Sequence, residues 1–116
     1  MSDIRFIAEC TKIKDIAKFK EAVSEAVAAA RGNHPGTKQY EYYIDEANLR
    51  CVVIETYAST DAIAGHVAKV GPIFPKLQAL ADISAEAFGD PDEKGLAMFK
   101  EFGVKVIPFF DGIRLD

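Results

Sequence analysis

Along the first residues, Ile4, Phe6, Ala8 and Cys10 alternate with Arg5, Ile7 and Glu9, which predicts a strand with one apolar face over Ile4 to Thr11. The period then lengthens. Ile16, Phe19, Val23, Ala26, Val27 and Ala30 recur at helical spacing behind Asp15, a residue suited to cap a helix start. Gly32 and the loop Asn33-His34-Pro35-Gly36 end that helix, and His34 reads as a solvated loop residue. A tyrosine-rich strand, Lys38 to Ile44, and a strand from Arg50 to Tyr57 flank the short polar turn Asp45-Glu46-Ala47-Asn48, as in a hairpin. Ser59 or Thr60 caps a second helix on which Ile63, His66, Val67, Val70 and Phe74 share a face. Pro72 and Pro75 kink or restart it before Leu77 and Leu80. A strand from Ile83 to Phe88 follows. A third helix, capped by Asp90 with Pro91 in its first turn, carries Leu96, Met98, Phe99 and Phe102 up to Gly103. Val104 to Phe110 reads as a last strand, and Pro108 confines it to an edge or a bulge.

This order predicts an α+β fold: one ferredoxin-like βαββαβ domain over residues 1–116, with an appended helix and strand. The first strand should lie between the third and fourth, antiparallel to both. Setting Phe6 and Ala8 on the same face as Val52 and Ile54 makes the helix-covered side uniformly apolar. The opposite face then carries Ile7, Tyr43, Val53 and Tyr57 among Arg5, Glu9, Glu41 and Glu55. That face is too apolar to stay wet, so a homodimer through the sheet is expected, with Glu55 paired to Arg5. The same parity puts Cys10 and Cys51 on opposite faces and leaves two free thiols.

Composition narrows the function classes. A chain of 116 residues with 49% hydrophobic and 28% charged residues can bury a core without staples. The net charge is −4 and the cations are scattered, which argues against nucleic acid as a partner. No apolar run approaches a membrane span, and Met1-Ser2-Asp3-Ile4-Arg5 lacks a signal-peptide layout, so a cytoplasmic protein is expected. Two cysteines and two histidines, none at ligand spacing, are too few for a transition-metal site. The glycines lie too far apart to cradle a phosphate.

Glu55-Thr56-Tyr57-Ala58-Ser59, then Ala62-Ile63-Ala64-Gly65-His66, then Pro72-Ile73-Phe74, resembles the E-x-Y-x-S…A-x-x-x-H…P-x-F stretch of antibiotic-biosynthesis monooxygenase (ABM) domains. Ala87-Phe88-Gly89-Asp90-Pro91 is similar to a strand end and helix start in some of them. The resemblance implies a dimeric α+β barrel with a pocket between sheet and helices in each subunit. It also implies a superfamily of cofactor-free oxygenases of quinols and phenols, haem-degrading enzymes, an isomerase and proteins without known activity. The haem-degrading branch depends on a first-strand asparagine and on tryptophan. This first strand has no asparagine and the chain no tryptophan, so haem degradation is disfavoured.

Within that frame His66 is the candidate proton acceptor for a phenol or enol, set against the plainer reading of a histidine satisfied within the core. Tyr40, Tyr42, Phe6, Ile54, Ile63, Val67, Val70 and Phe74 are the candidate walls of a small-molecule pocket, though core packing is the commoner use of such residues. The function expected is a cofactor-independent monooxygenase-like enzyme for a small aromatic or enolisable molecule. The alternative is a non-catalytic small-ligand-binding or structural dimer.

Overall fold

A computed structural model describes residues 3–32 and 35–114, so the reading of His34 as a solvated residue lies outside the described residues. The chain runs β1 (Ile4–Thr11), α1 (Ile16–Ala30), β2 (Thr37–Asp45), a 3-10 turn (Glu46–Asn48), β3 (Arg50–Tyr57), α2 (Thr60–Val70), α3 (Phe74–Leu80), β4 (Asp82–Phe88), α4 (Glu93–Glu101) and β5 (Lys105–Ile107). The strands form one sheet in the order β2-β3-β1-β4-β5. β1 is antiparallel to both β3 and β4, as the topology predicts, and β5 joins β4 in parallel. This is the ferredoxin-like α+β fold with an appended helix and strand.

Local chemistry sets the boundaries. Asp15 accepts from Lys18 N at the start of α1, and Ser59 accepts from Ala62 N at the start of α2. Leu49 takes the left-handed conformation that closes the hairpin turn. α2 stops at Val70, and α3 restarts with Pro75 in its first turn, where the missing N–H costs nothing. The cap of α4 is Asp92 rather than Asp90. The Asp92 carboxylate accepts from Gly95 N at 2.8 Å and from Thr60 Oγ1 at 2.7 Å, tying the start of α4 to the start of α2 and holding the carboxyl below its usual range. β5 ends before Pro108, shorter than expected, because the proline has no N–H for the ladder.

The register of β3 differs from the sequence expectation by one residue. Phe6 faces Glu55, Ala8 faces Val53, and Cys10 faces Cys51. Directly opposed residues share a face, so Cys51, Val53, Glu55 and Tyr57 lie under the helices, while Val52, Ile54 and Thr56 turn to the bare side with Arg5, Ile7 and Glu9. Both strand faces are apolar enough to be buried, and the hairpin and the β1 pairing decide between them. Cys10 and Cys51 therefore lie on one face, not two, and both are buried free thiols. Glu55 does not meet Arg5, whose Nε is buried with no hydrogen-bond partner among the described residues.

Two larger apolar clusters fill most of the helix-covered side, beside a smaller one of Ala26, Val70 and Ile73. Of the larger two, one centres on Phe19, Ile13, Val53 and Leu77; the other on Tyr57, Ile63, Ala87 and Phe99. Phe6 packs against both and stacks on Phe99 at 6.3 Å. Of the aromatic residues read into the third helix, Phe99 is buried, whereas Phe102 and Leu96 face solvent.

Gly95 carries a specific expectation. Glycine to alanine inside a helix ordinarily stabilises by up to about 1 kcal/mol. Here a Cβ would stand 2.7 Å from Thr60 Oγ1 and 2.8 Å from Pro91 Cβ. Gly95→Ala should instead destabilise the protein by about 1–3 kcal/mol in a denaturant melt, as overpacking does; a gain in stability would contradict the close approach of α4 to α2.

Candidate functional site

Under α2, three elements bring together a buried set of ionisable and hydroxyl-bearing side chains. The alternation of β3 points Glu55 and Tyr57 at the helix, and β2 sets Tyr40 directly opposite Glu55 and Tyr42 opposite Val53. From above, the face of α2 that carries Thr60, Ala62, Ile63, His66 and Val70 presses down on them. His66 is 6% exposed. Its Nε2 lies 3.6 Å from Glu55 Oε1, and its ring meets Tyr40 and Tyr57 edge-on at 4.4 and 5.4 Å between centroids. The Tyr57 hydroxyl donates to the same Glu55 oxygen. The Tyr40 and Tyr42 hydroxyls share a hydrogen bond of 2.6 Å.

Desolvation dominates the electrostatics. Burial pushes the Glu55 carboxyl up to about 7, against the opposing effect of the Tyr57 hydrogen bond. Burial likewise raises the phenols of Tyr40, Tyr42 and Tyr57, and the nearby Glu55 charge raises each further. At neutral pH the three phenols keep their protons, one of the Tyr40–Tyr42 pair donating to the other and Tyr57 donating to Glu55, whose carboxyl is raised to about 7 with His66 Nε2 3.6 Å away. Such an arrangement can take up and return a proton near pH 7.

The residues expected to line a pocket divide. His66, Tyr40, Tyr42, Phe6, Ile63 and Val70 lie between sheet and helices, packed against one another or the core. Ile54 does not, because the register of β3 turns it to the bare face. Val67 is 38% exposed: one residue on from His66 is a 100° rotation, which carries it off the buried stripe. Phe74 is 40% exposed, since α2 has ended and a new helix axis begins there. Glu55 and Tyr57, read as dimer-face residues, belong instead to the site. The signal for them was their spacing, since residues two apart on a strand share a face, and Tyr57 is an aromatic worth burying.

Two hollows flank this set. One, of about 230 Å³, opens between the end of α1 and β2, with Arg31, Thr37, Lys38 and Tyr40 among its walls. The other, of about 420 Å³, lies on the bare face of the sheet around Ile7, Arg50, Val52 and Phe88. His66 lines neither, and Tyr40 is the residue common to the first hollow and the imidazole. Among the described residues, no three histidine, cysteine, aspartate or glutamate side chains group as metal ligands, and no helix is long and apolar enough to cross a membrane.

No protein-family profile and no curated protein matches the sequence. Solved structures do match the fold. MupZ from Pseudomonas fluorescens superposes with a TM-score of 0.77 at 12% identity, over 97% of this chain and 89% of that one. SnoaB from Streptomyces nogalater, described as a cofactor-independent oxygenase, gives 0.64 at 21% identity, over 79% and 96%. A structure described as an antibiotic biosynthesis monooxygenase gives 0.61 at 22%, over 72% and 94%. The fold is thus the one found in antibiotic-biosynthesis-monooxygenase structures.

Glu55 makes stability depend on pH with a defined sign. Its carboxyl holds a proton more tightly folded, near 7, than at its ordinary value of 4.5. The contribution is therefore fully present below pH 4.5 and is lost as pH rises through 7, by up to about 3 kcal/mol. Unfolding followed between pH 5 and 8 should show stability falling with pH, and Glu55→Gln should flatten that fall. An equal slope in the variant would remove Glu55 as its source.

Proposed function

We propose that this chain is a monooxygenase-like enzyme that uses the Glu55–His66 pair to deprotonate a small phenol, quinol or other enolisable molecule, without a cofactor. The observation that carries this reading is a carboxylate pushed up to about 7 against a buried imidazole. A proton acceptor poised near the working pH is what abstraction from a weakly acidic carbon or phenol requires. The likeness of fold to SnoaB adds dioxygen as the second substrate.

In this mechanism the buried pair accepts the substrate proton, which His66 and Glu55 share across the 3.6 Å between Nε2 and Oε1, while the Tyr57 hydroxyl orients the carboxylate. The substrate anion, now electron-rich, reduces dioxygen itself. For a phenol the products are a quinone and water: one oxygen atom becomes the new carbonyl at a ring carbon, and the other leaves as water with that carbon's hydrogen and the hydroxyl proton held by the pair. Tyr40, Tyr42, Phe6, Ile63 and Val70 form the surrounding wall. The imidazole is closed over at rest, so the Tyr40 ring must swing aside for the substrate to reach it.

The bare sheet face completes the reading as a homodimer interface. Ile7, Val52, Ile54, Phe88 and the 54%-exposed Tyr43 form an apolar surface that a second copy would cover. The cytoplasm suits two free thiols. A second reading, a non-catalytic dimer, is favoured by the 6% exposure of His66, which is what a structural histidine would also show.

Two measurements separate these readings. Oxygen uptake across a panel of quinols and phenols should fall about 10²- to 10⁴-fold in His66→Ala; a rate unchanged by the substitution would eliminate the mechanism. Ile54→Lys should convert the dimer to monomer in light scattering while leaving the monomer folded; a dimer that survives the lysine would place the interface elsewhere.

A further inference from the structure

We propose that Cys10 and Cys51 form a reversible disulfide across the β1–β3 ladder, closed by a hydroperoxide and reopened by thiols. The proposal stands apart from the catalytic reading above and holds whether or not the chain is an enzyme.

Register brings the two sulfurs together. Cys10 faces Cys51 at the last rung of the β1–β3 pairing, and both side chains turn to the helix-covered side, where they are 2% and 0% exposed. An antiparallel ladder sets opposed Cα atoms about 4.5 or 5.5 Å apart, and either spacing lies within the roughly 4.4–6.8 Å that a disulfide bridges. Closure therefore needs side-chain rotation and a small approach of the two strands, with the fold unchanged. Two small apolar residues would fill this space equally well, but these two interact with each other: the Cys10 thiol donates a hydrogen bond to the Cys51 sulfur. Just beyond the pair, Lys12 and Leu49 take left-handed backbone conformations, with φ of 54° and 50°, and Ile13 N donates to Leu49 O at 3.1 Å. The ladder ends there, and local opening of a strand end requires less than global unfolding, which gives a water-sized peroxide its way in.

The two thiols differ in the way the reaction needs. The hydrogen bond from Cys10, helped by the Tyr43 backbone N–H, holds the Cys51 thiol below its ordinary value against the opposing effect of burial. Cys10 is pushed up by the bond it donates and by burial. Cys51 is therefore the attacking thiolate and Cys10 the resolving thiol. The Cys51 sulfur takes the terminal oxygen of the hydroperoxide, the O–O bond breaks, and the other oxygen leaves with a proton as an alcohol, or as water from hydrogen peroxide. The Cys10 sulfur then attacks the resulting sulfenic acid, the S–O bond breaks, and that oxygen leaves as water with the Cys10 proton. Two electrons pass from the sulfurs to the peroxide, and one disulfide is formed. In a reducing compartment thiol exchange returns the pair to the dithiol. While it lasts, the bridge staples β3 to β1 at the rung nearest the hairpin turn.

The chain has no other cysteine, so mass spectrometry reads the outcome directly. The native protein is treated with a small excess of hydrogen peroxide, then unfolded and alkylated with N-ethylmaleimide. The expected product is a single chain lacking two hydrogens and carrying no maleimide, and dithiothreitol before alkylation should restore two adducts. Two adducts without reduction, a sulfinic acid in place of the bridge, or a bridge between two chains would each overturn the proposal. Register is tested by the double variant Cys51→Val with Val52→Cys, which moves one thiol to the bare face and should lose the bridge; a bridge that forms regardless would show closure outside the native ladder and would also overturn it. The order of attack is tested with dimedone, which traps sulfenic acid: Cys10→Ala should be labelled and Cys51→Ala should not, and the reverse pattern would contradict the assigned roles. If an alanine variant fails to fold, the mass of the peroxide-treated native protein still decides.

Discussion

A carboxylate withdrawn from water beneath α2 is the constraint around which the rest of this molecule is arranged. Glu55 cannot be buried alone, because an isolated buried charge is expensive and the group takes up a proton instead. Its surroundings are correspondingly specific: Tyr57 from its own strand, Tyr40 from the neighbouring strand and His66 from the helix above. These come from three elements whose relative positions are held by the hairpin turn, by the Ser59 cap and by the clamp of Asp92 on Thr60 and Gly95.

The placement also explains how the two sides of the sheet differ. With Glu55 and Tyr57 directed inward, the bare face keeps Val52 and Ile54 beside Ile7, and loses a carboxylate that would have resisted a partner sheet. The helix side, in turn, holds polar groups that a purely apolar core would lack. The appended α4 and β5 brace this side through Phe99.

The strand order, α1 with its Asp15 cap, the break between α2 and α3 and the position of His66 were legible in the sequence, because each depends on local spacing or on a proline. The register of β3 was not. Cys51, Val53 and Tyr57 on one face and Val52, Ile54 and Thr56 on the other are nearly equal in apolar character, so alternation alone does not choose. A glutamate on the first set argues for exposing it, and here the hydrogen bond from Tyr57 and the nearby His66 ring let it be buried against the rule. Val67 and Phe74 were misread for a different reason. Their spacing from His66 approximates a helical face, but the buried stripe is narrower than the apolar residues available, and the helix ends before Phe74. The left-handed Leu49 and the Asp92 cap depend on tertiary fit that no periodicity records.

The central claim is that Glu55 holds and releases its proton near neutrality against the His66 ring. Carbon-13 NMR of the Glu55 side-chain carboxyl, followed between pH 3 and 9, measures this directly. A midpoint near 7, with the His66 ring signals moving in the same range, is what the buried pair predicts. A midpoint near 4.5, as for a glutamate in water, would contradict it.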